Sequence, residues 1–102
     1  MAQLVALYKK PEDAAAFDGH YHGTHLPLAK TLPGLRSYVV SNGPVAVGAG
    51  ESPYHLVATL GFDSMAALQE ALASPEGRAT ADDLAHFAQA GVELLMFETK
   101  QV

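Results

Sequence analysis

From Gln3 to Tyr8 the chain is almost uninterruptedly apolar, and it stops at Lys9-Lys10-Pro11. A short apolar run bounded by charge and proline predicts a strand. Pro11-Glu12-Asp13 then fits a first helical turn, because proline presets the helical φ and acids favour the positive end of the macrodipole. The helix runs from Ala14-Ala15-Ala16-Phe17 through a histidine-rich stretch to Pro27. There a missing backbone donor and a ring that crowds the preceding turn predict a kink or restart near His25.

Beyond Leu32-Pro33-Gly34, the segment Leu35 to Val40 has strand character. Asn42 to Pro53, rich in glycine and proline, is expected to be a mobile flap. It lacks the Gly-Lys-Ser/Thr ending of a phosphate cradle, and Gly48-Ala49-Gly50 alone is a weak match to any dinucleotide fingerprint. His55 to Phe62 reads as a third strand, followed by an Asp63-Ser64 cap and a helix with Met65, Leu68 and Leu72 at helical spacing. Ser74-Pro75-Glu76 repeats the cap-then-proline signal ahead of a short helix through Leu84 and Phe87. Gly91 ends it, and Val92 to Glu98 is the last strand. The order βαββαβ over residues 1–102 predicts one α+β domain, a ferredoxin-like sandwich whose antiparallel sheet carries its helices on one face.

A sheet covered on one face should alternate apolar and polar residues. These strands do not. Leu4, Ala6 and Tyr8 alternate with Val5 and Leu7, and Leu56-Val57-Ala58 and Leu94-Leu95-Met96-Phe97 are apolar on both sides. An uncovered face of that kind exceeds the apolar patch a monomer tolerates. The expectation is a homodimer through the sheet face, in which two open sheets close into one barrel-like unit.

Composition narrows the partners further. Hydrophobic residues make up 49% and charged residues 17%, as in a globular chain. Eleven acids against six scattered bases leave no basic patch for a phosphate backbone, so no nucleic-acid partner is expected. With no cysteine, thiol chemistry and thiolate metal sites are excluded. No apolar run approaches the ~18 residues of a membrane span and no charged n-region precedes an apolar stretch, so a cytoplasmic location with no membrane partner is expected.

The chemistry concentrates in His20-Tyr21-His22-Gly23-Thr24-His25, just before Leu26-Pro27-Leu28. Phe17, Tyr21 and Leu28 share one helical stripe facing the core, and His25 stands at its edge. Asp18, His22 and His25 also share a face, but three ligands along one helix span about 10 Å at ~1.5 Å per residue, too far to meet one ion, so no metal site is expected. His20 and His86 read as solvated surface residues. His55, opening a strand beside the flap, either reaches a cavity mouth or faces water.

In the order Phe17, Tyr21, His25, Pro27, Leu28, Pro33 and Gly34, with Ser74-Pro75-Glu76-Gly77 and Phe87 further on, the chain resembles the EthD-like family of dimeric α+β barrel proteins. The resemblance spans nearly the whole chain. It implies the ferredoxin-like protomer, the dimer, and a pocket between the sheet and the first helix. By position it implies that His25 and Tyr38 are the catalytic pair; Phe17, Tyr21, Leu28 and His55 are expected around a small hydrophobic ligand. Histidine suits such a role because its unperturbed pKa lies near ~6.5. A tyrosine hydroxyl can hold an oxygen that gains negative charge as a neighbouring carbon loses a proton. Alternatively, His25 is a kink residue bonding a carbonyl freed by Pro27. Three functions fit: a cofactor-independent enzyme isomerising, deprotonating or decarboxylating a hydrophobic carbonyl compound; an accessory or ligand-binding protein supporting an oxygenase in ether or aromatic degradation; and a cofactor-free monooxygenase. No cofactor is expected in any of them.

Overall fold

In the computed structural model, which describes residues 1–102, the first strand β1 spans Ala2–Lys9, and its side chains alternate between buried and half-buried. The helix that follows starts at Asp13 rather than Pro11. The Asp13 carboxylate accepts the Ala16 N–H at 3.0 Å, so the acid serves as N-cap and α1 spans Ala14–His20. An oxygen that satisfies an orphan backbone donor fixes the start more firmly than a preset φ.

Near His25 the helix widens instead of breaking. Tyr21–His25 form a π-turn closed by Leu26 N–H donating to Tyr21 C=O, and the α-helix resumes as α2 at Leu26–Ala29. Phe17, Tyr21, His25 and Ala29 are all buried, every fourth residue. An α-helix of 3.6 residues per turn drifts about 40° with each step of four, so three steps would swing the last residue well off the core. The π-turn absorbs that drift. It also corrects the predicted stripe by one position: Ala29 takes the buried place assigned to Leu28, which is only half-buried.

The remaining elements are β2 (Ser37–Val40), β3 (Tyr54–Phe62), α3 (Met65–Ala73), α4 (Pro75–Phe87) and β4 (Val92–Glu98). The sheet order is β2-β3-β1-β4, antiparallel throughout. This is the ferredoxin-like α+β arrangement. Strand β2 is shorter than predicted because Leu35 and Arg36 precede it. Residues 42–53 carry neither helix nor strand. The α4 helix, read as short, is the longest, with 13 residues.

Ser74 joins the last two helices. It ends α3, and its Oγ accepts the Gly77 N–H at 3.0 Å to cap α4. The junction is tight enough that a Cβ on Gly77 would run into the carbonyl oxygens of Ala71 and Leu72.

The register sorts the side chains. Leu4 pairs with Leu60 and Met96, Ala6 with Ala58 and Leu94, and Tyr38 with Leu60, so these residues share the helix-covered face. Val5 pairs with Thr59 and Leu95, and Val39 also pairs with Thr59, on the opposite face, where nothing lies over them. Val39 is 62% exposed, Leu95 49% and Phe97 41%. Strand β4 is bare on both faces, since Leu94 and Met96 are 48% and 49% exposed on the helix side.

Two glycines test the packing of the helices in opposite directions. Gly77→Ala is expected to destabilise by about 1–3 kcal/mol through overpacking against backbone. Gly19→Ala, with open space where its Cβ would stand, is expected to stabilise by up to ~1 kcal/mol. Chemical denaturation midpoints of the two variants check both signs.

Candidate active site

Strand β1 places Tyr8 at the end of its buried face, where its ring meets Phe17, Tyr21 and Phe87 at centroid distances of 5.5, 5.5 and 5.6 Å. This aromatic wall backs His25, whose ring lies 4.7 Å from that of Phe87. The π-turn turns His25 inward, leaving it 4% exposed. From α4 the carboxylate of Asp83, 7% exposed, reaches the same place.

His25 Nδ1 lies 3.0 Å from Asp83 Oδ2, and His20 Nε2 lies 2.9 and 3.0 Å from the two Asp83 oxygens. Burial pushes the Asp83 pKa up, but the hydrogen bonds from His20 and His25 outweigh it and hold the carboxyl below its ordinary value. An ionised carboxylate only accepts, so His25 carries its proton on Nδ1 and its lone pair on Nε2. That lone pair faces Tyr8 Oη at 3.5 Å, too long a contact to hold it firmly. Burial lowers the His25 pKa, and Asp83 only partly restores it, so the ring is neutral near pH 7. A neutral imidazole oriented by a buried carboxylate, with its other nitrogen held only by that long contact, can accept a proton.

His25 also lines a cavity of about 70 Å³ between helices and sheet, together with Tyr8, Tyr21, Tyr38 and mainly apolar side chains. Tyr38 Oη and Tyr21 Oη are 2.6 Å apart. Burial raises the pKa of Tyr8, Tyr21 and Tyr38 alike, which keeps all three hydroxyls protonated as donors.

Of the residues singled out in the sequence, His25, Tyr38 and Tyr21 meet at this cavity. Phe17 stands behind it, in the aromatic wall. Leu28 does not line it, for the reason given by the π-turn. His55 is elsewhere: its Nε2 bonds Asp18 at 2.8 Å beside a separate surface groove of about 660 Å³ that also holds His22. The face shared by Asp18, His22 and His25 is therefore divided, with Asp18 turned to His55 and His25 to Asp83. His20 is not a free surface residue, because α4 brings Asp83 against it. His86 is exposed.

Asp83 and Tyr8 are the members that sequence reasoning missed. Asp83 follows Asp82 and looks like half of a solvated pair, although its spacing of four before Phe87 puts it on the buried stripe. Tyr8 was visible as strand core, but its hydroxyl had no assigned partner.

The His25 titration gives a direct check. By NMR its midpoint is expected below the ordinary value of 6.5, and Asp83→Asn, which removes the groups that raise it, is expected to move it lower still. Between 6.5 and the lowered midpoint the unfolded chain binds a proton that the folded chain does not, so stability falls as pH drops through that window.

The EthD domain model matches residues 9–91. A protein of Rhodococcus erythropolis described as an uncharacterized 11.0 kDa protein in the thcB-thcC intergenic region is 37% identical over 102 residues, covering 100% of this chain and 98% of its own length. An ethyl tert-butyl ether d (EthD) family protein from Bacillus halodurans is 39% identical with a TM-score of 0.89, covering 98% of this chain and 99% of that one. Two remoter structures share the fold. A cofactor-independent oxygenase from Streptomyces nogalater has 19% identity and a TM-score of 0.69, covering 99% and 94% of the two chains. A dimeric ferredoxin-like protein of unknown function from Thermobifida fusca has 15% identity and a TM-score of 0.70, covering 96% and 90%. The match over residues 9–91 and the two relatives above 30% identity make this chain a member of the EthD family.

Proposed function

We propose that this protein is a cofactor-independent enzyme that removes a proton from carbon next to the carbonyl of a small hydrophobic compound, with His25 as the base. The observation that carries the reading is the 3.0 Å contact from His25 Nδ1 to buried Asp83, which leaves Nε2 with only the long Tyr8 contact in a residue that lines an apolar cavity. His25 Nε2 takes the proton, and Asp83 offsets the positive charge that the ring gains. The electrons left on carbon move onto the carbonyl oxygen, which Tyr38 holds by its hydroxyl, with Tyr21 Oη 2.6 Å behind it as a relay of polarisation. Return of the proton to another carbon completes an isomerisation.

A cavity of about 70 Å³ is far below the roughly 300–1,000 Å³ that encloses a drug-sized ligand. It therefore takes the reacting end of the substrate only. The remainder lies towards Leu94, the lining residue on the bare edge strand.

Cofactor-free oxygenation begins with the same proton removal, from a phenol rather than beside a carbonyl. The oxygenase from Streptomyces nogalater, alike in fold, favours it as the second reading.

The open sheet face supports a homodimer. Val5, Val39, Leu95 and Phe97 on that face bury apolar surface at ~25 cal/mol per Å² once a second copy covers it. A dimeric protein of the same fold is consistent with this assembly.

Incubation with a panel of unsaturated lactones and β-keto compounds in D2O reads proton abstraction directly. His25→Ala is expected to lower deuterium incorporation by about 10²–10⁴-fold. Tyr38→Phe should lower it less, leaving binding nearly intact. Wild-type binding without deuterium incorporation or turnover would instead identify an accessory protein, and oxygen uptake with phenols would identify the oxygenase. For the assembly, Leu95→Asp is expected to turn a sedimenting dimer into a monomer at micromolar concentration. A monomeric wild type would contradict the dimer.

A further inference from the structure

We infer that His20 is a positioning residue for the His25 base, acting through Asp83. The inference rests on the acid/base reading for its consequence, but the geometry stands by itself. Asp83 is hydrogen-bonded to both histidines, while Phe87 packs against both rings. Oδ2 meets His25 Nδ1 at 3.0 Å, and His20 Nε2 spans both oxygens at 2.9 and 3.0 Å.

A carboxylate held by one hydrogen bond can rotate about its last side-chain bond and offer either oxygen, or neither, to its partner. One held by a donor that straddles both oxygens cannot. His20 supplies that donor from the last residue of α1, immediately before the π-turn that carries His25. Its ring is fixed in turn, lying nearly parallel to the Phe87 ring with centroids 5.1 Å apart. Phe87 and Asp83 are one turn apart on α4, so the same helix supplies both the group that His20 holds and the surface on which His20 rests.

His20 is itself half-buried and stands at the wall of a surface groove, whereas His25 is buried. Substrate in the central cavity therefore does not reach His20, which is absent from the cavity lining. Its task is to keep Asp83 Oδ2 on Nδ1, and so to keep the His25 lone pair on Nε2.

Ring ¹⁵N shifts of His25 in the full-length protein at neutral pH read the tautomer without any substrate. Wild type is expected to show a proton on Nδ1. His20→Leu retains an apolar contact with Phe87 but removes the donor. It is expected to lower the ratio of Nδ1–H to Nε2–H forms about tenfold, the worth of one hydrogen bond to a charged group. His20→Gln, which keeps a neutral N–H donor, is expected to restore the wild-type ratio.

A folded His20→Leu protein with wild-type ring shifts would overturn the assignment. If His20→Leu does not fold, His20→Ala against His20→Gln makes the same comparison. The two readings fail separately. Absence of deuterium incorporation with the carbonyl panel removes the acid/base function and leaves the tautomer result standing. An unchanged tautomer removes the role of His20 and leaves the acid/base function standing.

Discussion

A buried carboxylate is costly unless its oxygens are hydrogen-bonded, and at Asp83 two histidines supply those bonds. The same bonds tie α4 to α1 and to the π-turn. Removing either histidine would leave an under-bonded charge between helices, a heavier loss than that of a surface pair. No buried side-chain nitrogen or oxygen lacks a partner. The polar centre is thus complete within an otherwise aromatic and aliphatic layer. What looks like a stabilising contact also selects the imidazole tautomer, and that is where structure becomes chemistry.

The π-turn is the backbone counterpart of this pairing. A core stripe at every fourth residue does not match an α-helix of 3.6 residues per turn. One widened turn lets Phe17, Tyr21, His25 and Ala29 all remain buried. The turn ends two residues before Pro27, where the regular hydrogen-bond ladder must be interrupted in any case. The chain places its interruption at His25, beside the cavity, and functional sites are a common position for π-bulges.

The strands and the order of elements were legible because their signals are local: apolar runs, the caps at Ser64 and Ser74, and the glycine at 91. The Pro27 irregularity was legible too, although its form was not, since a kink and a widened turn answer the same lost donor. His25, Tyr21 and Tyr38, all singled out in the sequence, line one cavity. Asp83 was not, because it lies 58 residues from His25 and belongs to the site only after α4 folds back over the first helix. His55 was drawn to the site by its place beside the flap, and its Asp18 partner holds it elsewhere. Local pattern reveals an element's faces; it does not reveal which opposing face supplies a partner.

The proposed assembly concerns the bare sheet face, whereas the cavity on the other face reaches the exposed edge of β4 at Leu94, so assembly and substrate access are separate problems on this fold. Both are secondary to the state of one ring. Neutron diffraction from a deuterated crystal grown near pH 7 reads that state most directly. The account predicts deuterium on His25 Nδ1, none on Nε2 and none on Asp83. Deuterium on His25 Nε2, or on an Asp83 oxygen, would contradict it.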